Sequence, residues 1–201
     1  MASSIPELNN LEAFTVELSD QIAHLQLCRP ESFNSMNSAF WRELPLIVDA
    51  IDRESVARVI VISSTGKHFT AGMDLSVFAD MGDRYNGEPA RAAEAMRRLV
   101  LDLQDTFNAL ERARMPVLVA IQGGCIGGGV DMICAADCRY ATDSSFFVVK
   151  ETEIGITADV GTLQRLPNLI SEGLTRELAY TSRKMLAAEA LAAGLVNKTY
   201  S

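Results

Sequence analysis

The stretch Met115-Pro-Val-Leu-Val-Ala-Ile-Gln-Gly-Gly-Cys-Ile-Gly-Gly-Gly-Val-Asp131 decides how this chain folds. Its apolar run, Pro116 to Ile121, has the unbroken Val/Leu/Ile character of a buried strand bounded by Pro and Gly. The glycines from Gly123 to Gly129 let the backbone turn tightly and leave N–H groups bare of side chains. Val130 to Ala136 is predicted to continue from that loop as a helix. Its free N–H groups and partial positive charge then aim back at the loop. Such a place suits an anion or an oxyanion. A second apolar run, Phe146 to Val149, leads into Glu151, and Asp159 follows one short loop later. Asp131, Glu151 and Asp159 are thereby predicted to converge beside the donors, an arrangement suited to acid/base chemistry on a carbonyl compound.

Upstream, Phe14, Val16 and Leu18, then Ala23, Leu25 and Leu27, alternate on either side of Ser19-Asp20, which predicts an antiparallel hairpin with its first strand at a sheet edge. A helix capped at Asn37 or Ser38 follows, burying Trp41, Leu44, Val48 and Ile51, with Pro45 expected to bend it. Val59 to Ile62 reads as a strand of the parallel type. It runs into the glycine-containing loop Ser63 to Asp74, and a helix is expected near Asp74. Met81 to Pro89 is the expected mobile segment. Met96, Leu99, Val100, Leu103, Phe107 and Leu110 repeat at helical spacing and predict one apolar face, ending before Pro116. Helices near 162–166, 172–181 and 187–193 complete an α/β domain with a largely parallel sheet. Residues 1–10 are expected to be disordered and the chain, 1–201, to form one domain.

Composition narrows the function. At 201 residues, 48% hydrophobic and 22% charged, the chain is an ordinary globular one, able to bury roughly 70% of its unfolded surface. A net charge of −8 and no Lys/Arg cluster argue against nucleic acid as a partner. No apolar run reaches the ~18–20 residues of a membrane span. Neither a secretory nor a mitochondrial leader is visible at the start. Cys28, Cys125, Cys134 and Cys138 fit a reducing compartment. Cys134 and Cys138 can share a helix face, yet no second pair completes a metal site, so no metal is expected.

Two strand-to-helix junctions, Ala71-Gly72-Met73-Asp74 and Gly127-Gly-Gly129, each offer a bare N–H. Together the amides of Met73 and Gly128 would make a two-pronged oxyanion hole. The glycine cluster lacks the G-x-G-x-x-G spacing of a dinucleotide site, and no G-x-S-x-G elbow occurs. Asp131 is set in an apolar context, where a carboxylate is costly unless it is paired or protonated, the usual tuning of an acid/base group.

Gly66-Lys-His-Phe-Thr-Ala-Gly-Met-Asp-Leu75, Gly123-Gly-Cys-Ile-Gly-Gly-Gly-Val-Asp131 and Gly155-Ile-Thr-Ala-Asp-Val-Gly-Thr-Leu-Gln-Arg-Leu-Pro167 resemble the signatures of the crotonase (enoyl-CoA hydratase/isomerase) superfamily, from about Phe14 to Asn197. Within it, Asp131, Glu151 and Asp159 all match the Δ3,5-Δ2,4-dienoyl-CoA isomerases; hydratases carry glutamate at the first position and glycine at the third. The resemblance implies a crotonase-like (ClpP/crotonase) spiral of ββα units and an acyl-CoA substrate, with no cofactor beyond the coenzyme A of the substrate. It implies Met73 and Gly128 as oxyanion donors, and Asp131, Glu151 and Asp159 as catalytic residues, with Asp159 removing a proton at C2 and Glu151 returning one at C6. Ala71, Gly72, Asp74 and Gly127 would line the substrate site, and Arg29 and Lys67 would meet coenzyme A. Peroxisome or mitochondrion is the implied location; with no targeting signal visible, the chain as it stands would be cytoplasmic. Family members continue past Thr199-Tyr200-Ser201 into helices that close the acyl pocket and support trimers or hexamers. That segment is therefore expected to be incomplete. The alternatives are a hydratase, or an inactive short subunit acting only with full-length partners.

Overall fold

The computed structural model describes residues 5–77 and 88–201. Phe14–Ser19 (β1) and Ile22–Leu27 (β2) form the expected antiparallel hairpin, Phe14 opposite Leu27 and Ser19 opposite Ile22. Its turn is Asp20-Gln21, both at positive φ (49° and 64°), the type I′ conformation whose twist matches that of the strands. Ser38–Glu54 (α1) and Val59–Ser64 (β3) follow, then Pro89–Arg112 (α2), Val117–Ile121 (β4), Gly124–Ile126 (β5) and Gly128–Cys134 (α3). The second half supplies Cys138–Thr142 (β6), Phe146–Val148 (β7), Thr162–Arg165 (α4), Glu172–Thr181 (α5), Met185–Leu186 (β8), Ala187–Ala193 (α6) and Lys198–Tyr200 (β9).

One sheet runs β1-β2-β3-β4-β6-β9, parallel from β2 onward, with β1 at its edge; a small second sheet runs β5-β7-β8. The α/β class and the mainly parallel sheet are thus as expected. β5 pairs in parallel with β7, which sets the glycine loop directly beside the chain that leads to Glu151.

Helix α1 is capped by the side chain of Asn37, which accepts the Phe40 N–H at 3.0 Å, and Trp41, Leu44, Val48 and Ile51 are buried. It passes through Pro45 without a break. Proline has no N–H for the carbonyl four residues back, that of Trp41. The single hydroxyl proton of Thr106 on α2 has two acceptors in reach, that carbonyl at 3.3 Å and the Asp102 carbonyl of its own helix at 3.1 Å, so Trp41 shares a tertiary donor in place of its helical one.

Several expectations need correction. Residues 5–10 are not disordered: Pro6–Leu8 forms a 3₁₀ turn with Ile5 and Leu8 buried. Arg53 of α1 pairs with Glu7 at 2.8 Å, and the buried Glu43 carboxylate accepts the N–H groups of the following Glu12 and Ala13, each at 2.9 Å; residues 1–4 lie outside the described ones. The glycine-loop helix starts and ends earlier than predicted, and Gly124–Ile126 is strand rather than turn. Cys134 and Cys138 share no helix face, because α3 stops at Cys134 and Cys138 opens β6. Of the expected mobile segment, 81–87 lies outside the described residues, while Glu88 caps α2 and Pro89 begins it. The helix expected near Asp74 opens at 75–77, beyond which the described residues pause.

The predicted apolar face of α2 is divided in use. Leu103, Phe107 and Leu110 enter the core, whereas Met96 is 43% exposed and Leu99 and Val100 are half-buried. That upper half faces a cavity.

Candidate active site

Two loops bring a pair of amides together. Met36 bridges Met73 in parallel: its N–H donates to the Gly72 carbonyl at 2.8 Å and its carbonyl accepts the Asp74 N–H at 3.1 Å. In an extended chain successive N–H groups alternate in direction, so the Met73 N–H points away from Met36. On that side lies Gly128, and a Cβ built on it would stand 3.9 Å from the Met73 nitrogen. Gly128 is the first residue of α3 and has no acceptor within the helix. Among the described residues neither N–H has an acceptor.

Glycine is required at two points of this cradle. Gly72 sits at φ +87°, and a Cβ there would come 2.7 Å from the Ile126 carbonyl oxygen. Gly127 adopts φ 53° and ψ −121°, a conformation closed to L side chains, and a Cβ would stand 3.2 Å from Oε1 of Glu151.

The carboxylates converge on the same place. Glu151 heads a 3₁₀ turn, Glu151–Ile154, just past β7; it is 8% exposed, and its Oε2 has no hydrogen-bond partner among the described residues. Burial pushes its carboxyl up to about 7, and the negative charges of Asp131 and Asp159 push the same way. Asp131, in the first turn of α3, is fully buried; its Oδ1 accepts the Thr162 N–H at 2.5 Å and its Oδ2 has no partner. Burial raises Asp131 to about 6, hydrogen bonding from Thr162 opposes that rise, and Asp159 adds to it. The Thr162 hydroxyl lies beside the same carboxylate without reaching hydrogen-bond geometry. Asp159 is exposed, and its main-chain carbonyl is fixed by Nε2 of Gln104 on α2 at 2.8 Å.

One cavity of about 690 Å³ joins these parts. Ala71, Gly72, Met73, Asp74, Gly127 and Gly128 form one wall, Glu151 and Asp159 another, and Met96, Leu99, Val100 and Leu103 of α2 face them. Asp131 stands behind this lining. Arg29 and Lys67 are not part of it. The Arg29 guanidinium donates to the Ser35 carbonyl at 2.8 Å and pairs with Asp74 at 4.0 Å, which ties it to the cavity rim. Lys67 is exposed on the loop after β3. A smaller polar hollow of about 370 Å³, with Gln104, Asn108 and Arg165 in its wall, lies on the other side of Asp159.

Sequence reasoning missed Gln104 and Thr162. Each acts across a long separation, 55 residues to Asp159 and 31 to Asp131, and no local pattern marks either.

Residues 17–201 match the family model described as enoyl-CoA hydratase/isomerase. The human mitochondrial Delta(3,5)-Delta(2,4)-dienoyl-CoA isomerase is 47% identical over 181 residues, covering 89% of this chain and 55% of that protein. The peroxisomal protein of the same name from Arabidopsis thaliana is 37% identical over 192 residues, covering 94% of this chain and 69% of its own length. The chain thus spans only about half to two thirds of the length of these relatives. Among solved structures, a putative enoyl-CoA hydratase from Thermobifida fusca in complex with acetoacetyl-CoA superposes with a TM-score of 0.83 at 27% identity, covering 98% of this chain and 76% of that one. The crotonase-like fold expected from the sequence is therefore the observed one. Among the described residues no helix is long and apolar enough to cross a membrane.

Proposed function

The chain belongs to the enoyl-CoA hydratase/isomerase family, and from that premise we propose that it isomerises 3,5-dienoyl-CoA to 2,4-dienoyl-CoA in fatty acid β-oxidation. The observation that carries this reading is one cavity holding two unpaired amides and two carboxylates of different character, Glu151 buried and Asp159 exposed. The thioester oxygen accepts from the N–H groups of Met73 and Gly128, each donor worth about 10²–10³ in rate in comparable sites. That polarisation acidifies C2. Asp159 takes the C2 proton, the dienolate forms, and Glu151, raised to about 7 by burial so that a protonated fraction persists near neutrality, delivers a proton to C6. The apolar half of α2 holds the acyl chain and keeps water from the dienolate. Asp131 acts from behind, through its charge.

Arg29, held at the rim by the Ser35 carbonyl and Asp74, and the exposed Lys67 would meet the coenzyme A end of the substrate. The chemistry needs no cofactor besides the coenzyme A of the substrate. Trimer or hexamer assembly is part of the reading, supported by the exposed apolar side chains of Ile154, Leu163 and Tyr180. A peroxisomal or mitochondrial setting follows from the names of the relatives.

Product analysis separates this reading from a hydratase. The protein is expected to convert a 3,5-dienoyl-CoA to the conjugated 2,4-isomer and to leave a 2-enoyl-CoA unhydrated. Hydration of the enoyl-CoA without dienoyl conversion would replace the reading. A folded protein active on neither would point to dependence on a longer partner subunit.

A further inference from the structure

The two carboxylates of the proposed isomerisation stand on separate supports. Glu151 is held from the side of α5: the hydroxyl of the adjoining Thr152 donates to the Ala179 carbonyl at 3.1 Å and meets the Ser182 hydroxyl at 2.7 Å, and the Glu151 carbonyl accepts the Ile156 N–H at 3.1 Å. Asp159 is held from α2. Nε2 of Gln104 donates to its main-chain carbonyl at 2.8 Å, the one hydrogen bond that reaches Asp159, by main chain or side chain, among the described residues. Resting on the isomerase reading, we propose that Gln104 is the positioning residue for Asp159, serving the proton transfer at C2 and not the one at C6.

Asp159 needs such a support because it stands between two spaces. It lines the acyl cavity of about 690 Å³ on one side and the polar hollow of about 370 Å³ on the other. Its carboxylate is exposed and has no partner of its own, so its aim depends on the backbone from which it starts. The flanking Ala158 and Val160 are buried, which fixes the depth of the segment. Apolar burial is non-directional, whereas a hydrogen bond to the carbonyl orients the peptide next to the Asp159 Cα. Without that bond the carboxylate is free to turn into the hollow, away from C2. A base must lie within about 2.6–3.2 Å of the atom whose proton it takes, so a small turn ends its work.

Helix α2 is a firm place from which to hold the base. Gln104 follows Leu103, which is 7% exposed and lines the acyl cavity. Gln104, Asn108 and Glu111 fall at helical spacing on one stripe of α2. Asn108 and Glu111 accept from the Arg165 guanidinium on α4 at 2.7 Å each, so this stripe grips the chain at Asp159 and again six residues later.

The test compares Gln104→Met, which keeps the length of the side chain and removes its donor, with Thr152→Val on the other support. Each variant and the wild type are assayed on a 3,5-dienoyl-CoA and on the same substrate carrying two deuteriums at C2. Gln104→Met is expected to lower kcat about tenfold with KM within about twofold, a misplaced base costing rate rather than binding. Its C2 deuterium effect should be at least that of the wild type, and its melting temperature close to it, since Gln104 is only half-buried. Thr152→Val is expected to lower kcat with a smaller C2 deuterium effect, because delivery of the proton to C6 then limits the rate. A Gln104→Met variant with wild-type kcat would overturn the proposal and leave the isomerase reading standing. So would a loss of kcat with a smaller C2 deuterium effect, or a C2 deuterium effect in Thr152→Val matching that of Gln104→Met. A Gln104→Met chain melting far below the wild type would show that Gln104 holds the fold rather than the base. Absence of any conversion by the wild type would instead overturn the isomerase reading, on which the proposal rests.

Discussion

A methyl group on Gly127 would stand 3.2 Å from Oε1 of Glu151, so the residue before the Gly128 amide also sets the position of the acid. Donor and acid are built by one turn. Gly127→Ala therefore has two expected consequences. An L residue forced to φ 53° and ψ −121° costs about 1–3 kcal/mol of stability, and displacement of Glu151 and the Gly128 N–H lowers kcat by about 10². Denaturant midpoints and steady-state rates on one preparation would show both. A variant with wild-type turnover would mean that the turn does not hold the acid.

The buried acids make stability depend on pH in an unusual direction. Burial raises Glu151 from 4.5 to about 7 and Asp131 from 3.8 to about 6. Between those limits the folded state binds more protons than the unfolded chain, so stability is full below the unfolded values and is lost as pH rises through the folded ones. The loss is on the order of a few kcal/mol. Urea midpoints are expected to fall from about pH 5 to about pH 8, and Glu151→Gln should flatten most of that fall. A midpoint that rises across the window would contradict the assignment.

The two halves of α2 should respond differently to truncation. Phe107 is fully buried, and Phe107→Ala is expected to cost about 3–5 kcal/mol. Leu99 is half-buried against the cavity, so Leu99→Ala should raise KM for long acyl chains while the melting temperature moves little. Equal stability losses at both positions would show that the upper half belongs to the core.

The Thr106 hydroxyl, shared with the Asp102 carbonyl, is the donor in reach of the Trp41 carbonyl that Pro45 leaves without its helical N–H. Thr106→Val should leave the Trp41 carbonyl buried and unpaired, costing about 1–3 kcal/mol. In a Pro45→Ala background, where a helical N–H returns, the same change should cost less. Additive losses in the double-mutant cycle would show that the two residues do not share that carbonyl.

Much of this was legible in the chain because the signals were local. The alternation of Phe14 to Leu27, the Asn37 cap and the glycine junctions report on backbone within a few residues of themselves. What escaped was non-local or masked by charge. Strand β6 carries Arg139, whose guanidinium is buried against the Ala136 and Leu195 carbonyls at 2.6 Å each, so its sequence reads as polar although its side chain points inward. Residues 5–10 are ordered by contacts far along the chain, through buried Ile5 and Leu8 and the ion pair of Glu7 with Arg53 on α1, while Glu43 fixes the adjoining Glu12 and Ala13. At the site, the meeting of Glu151, Asp159, Met73 and Gly128 in one cavity was expected from the sequence. That Asp131 lies behind the cavity, pinned by Thr162, needed the fold.

The most direct test of the account is the absorbance of a 3,5-dienoyl-CoA solution after addition of the protein, of Asp159→Asn and of Glu151→Gln. The account predicts growth of the 2,4-dienoyl chromophore with the wild type and its loss by at least about 10² in rate with either variant, each remaining folded. Undiminished conversion by Asp159→Asn or by Glu151→Gln would contradict the claim that these two carboxylates move the protons.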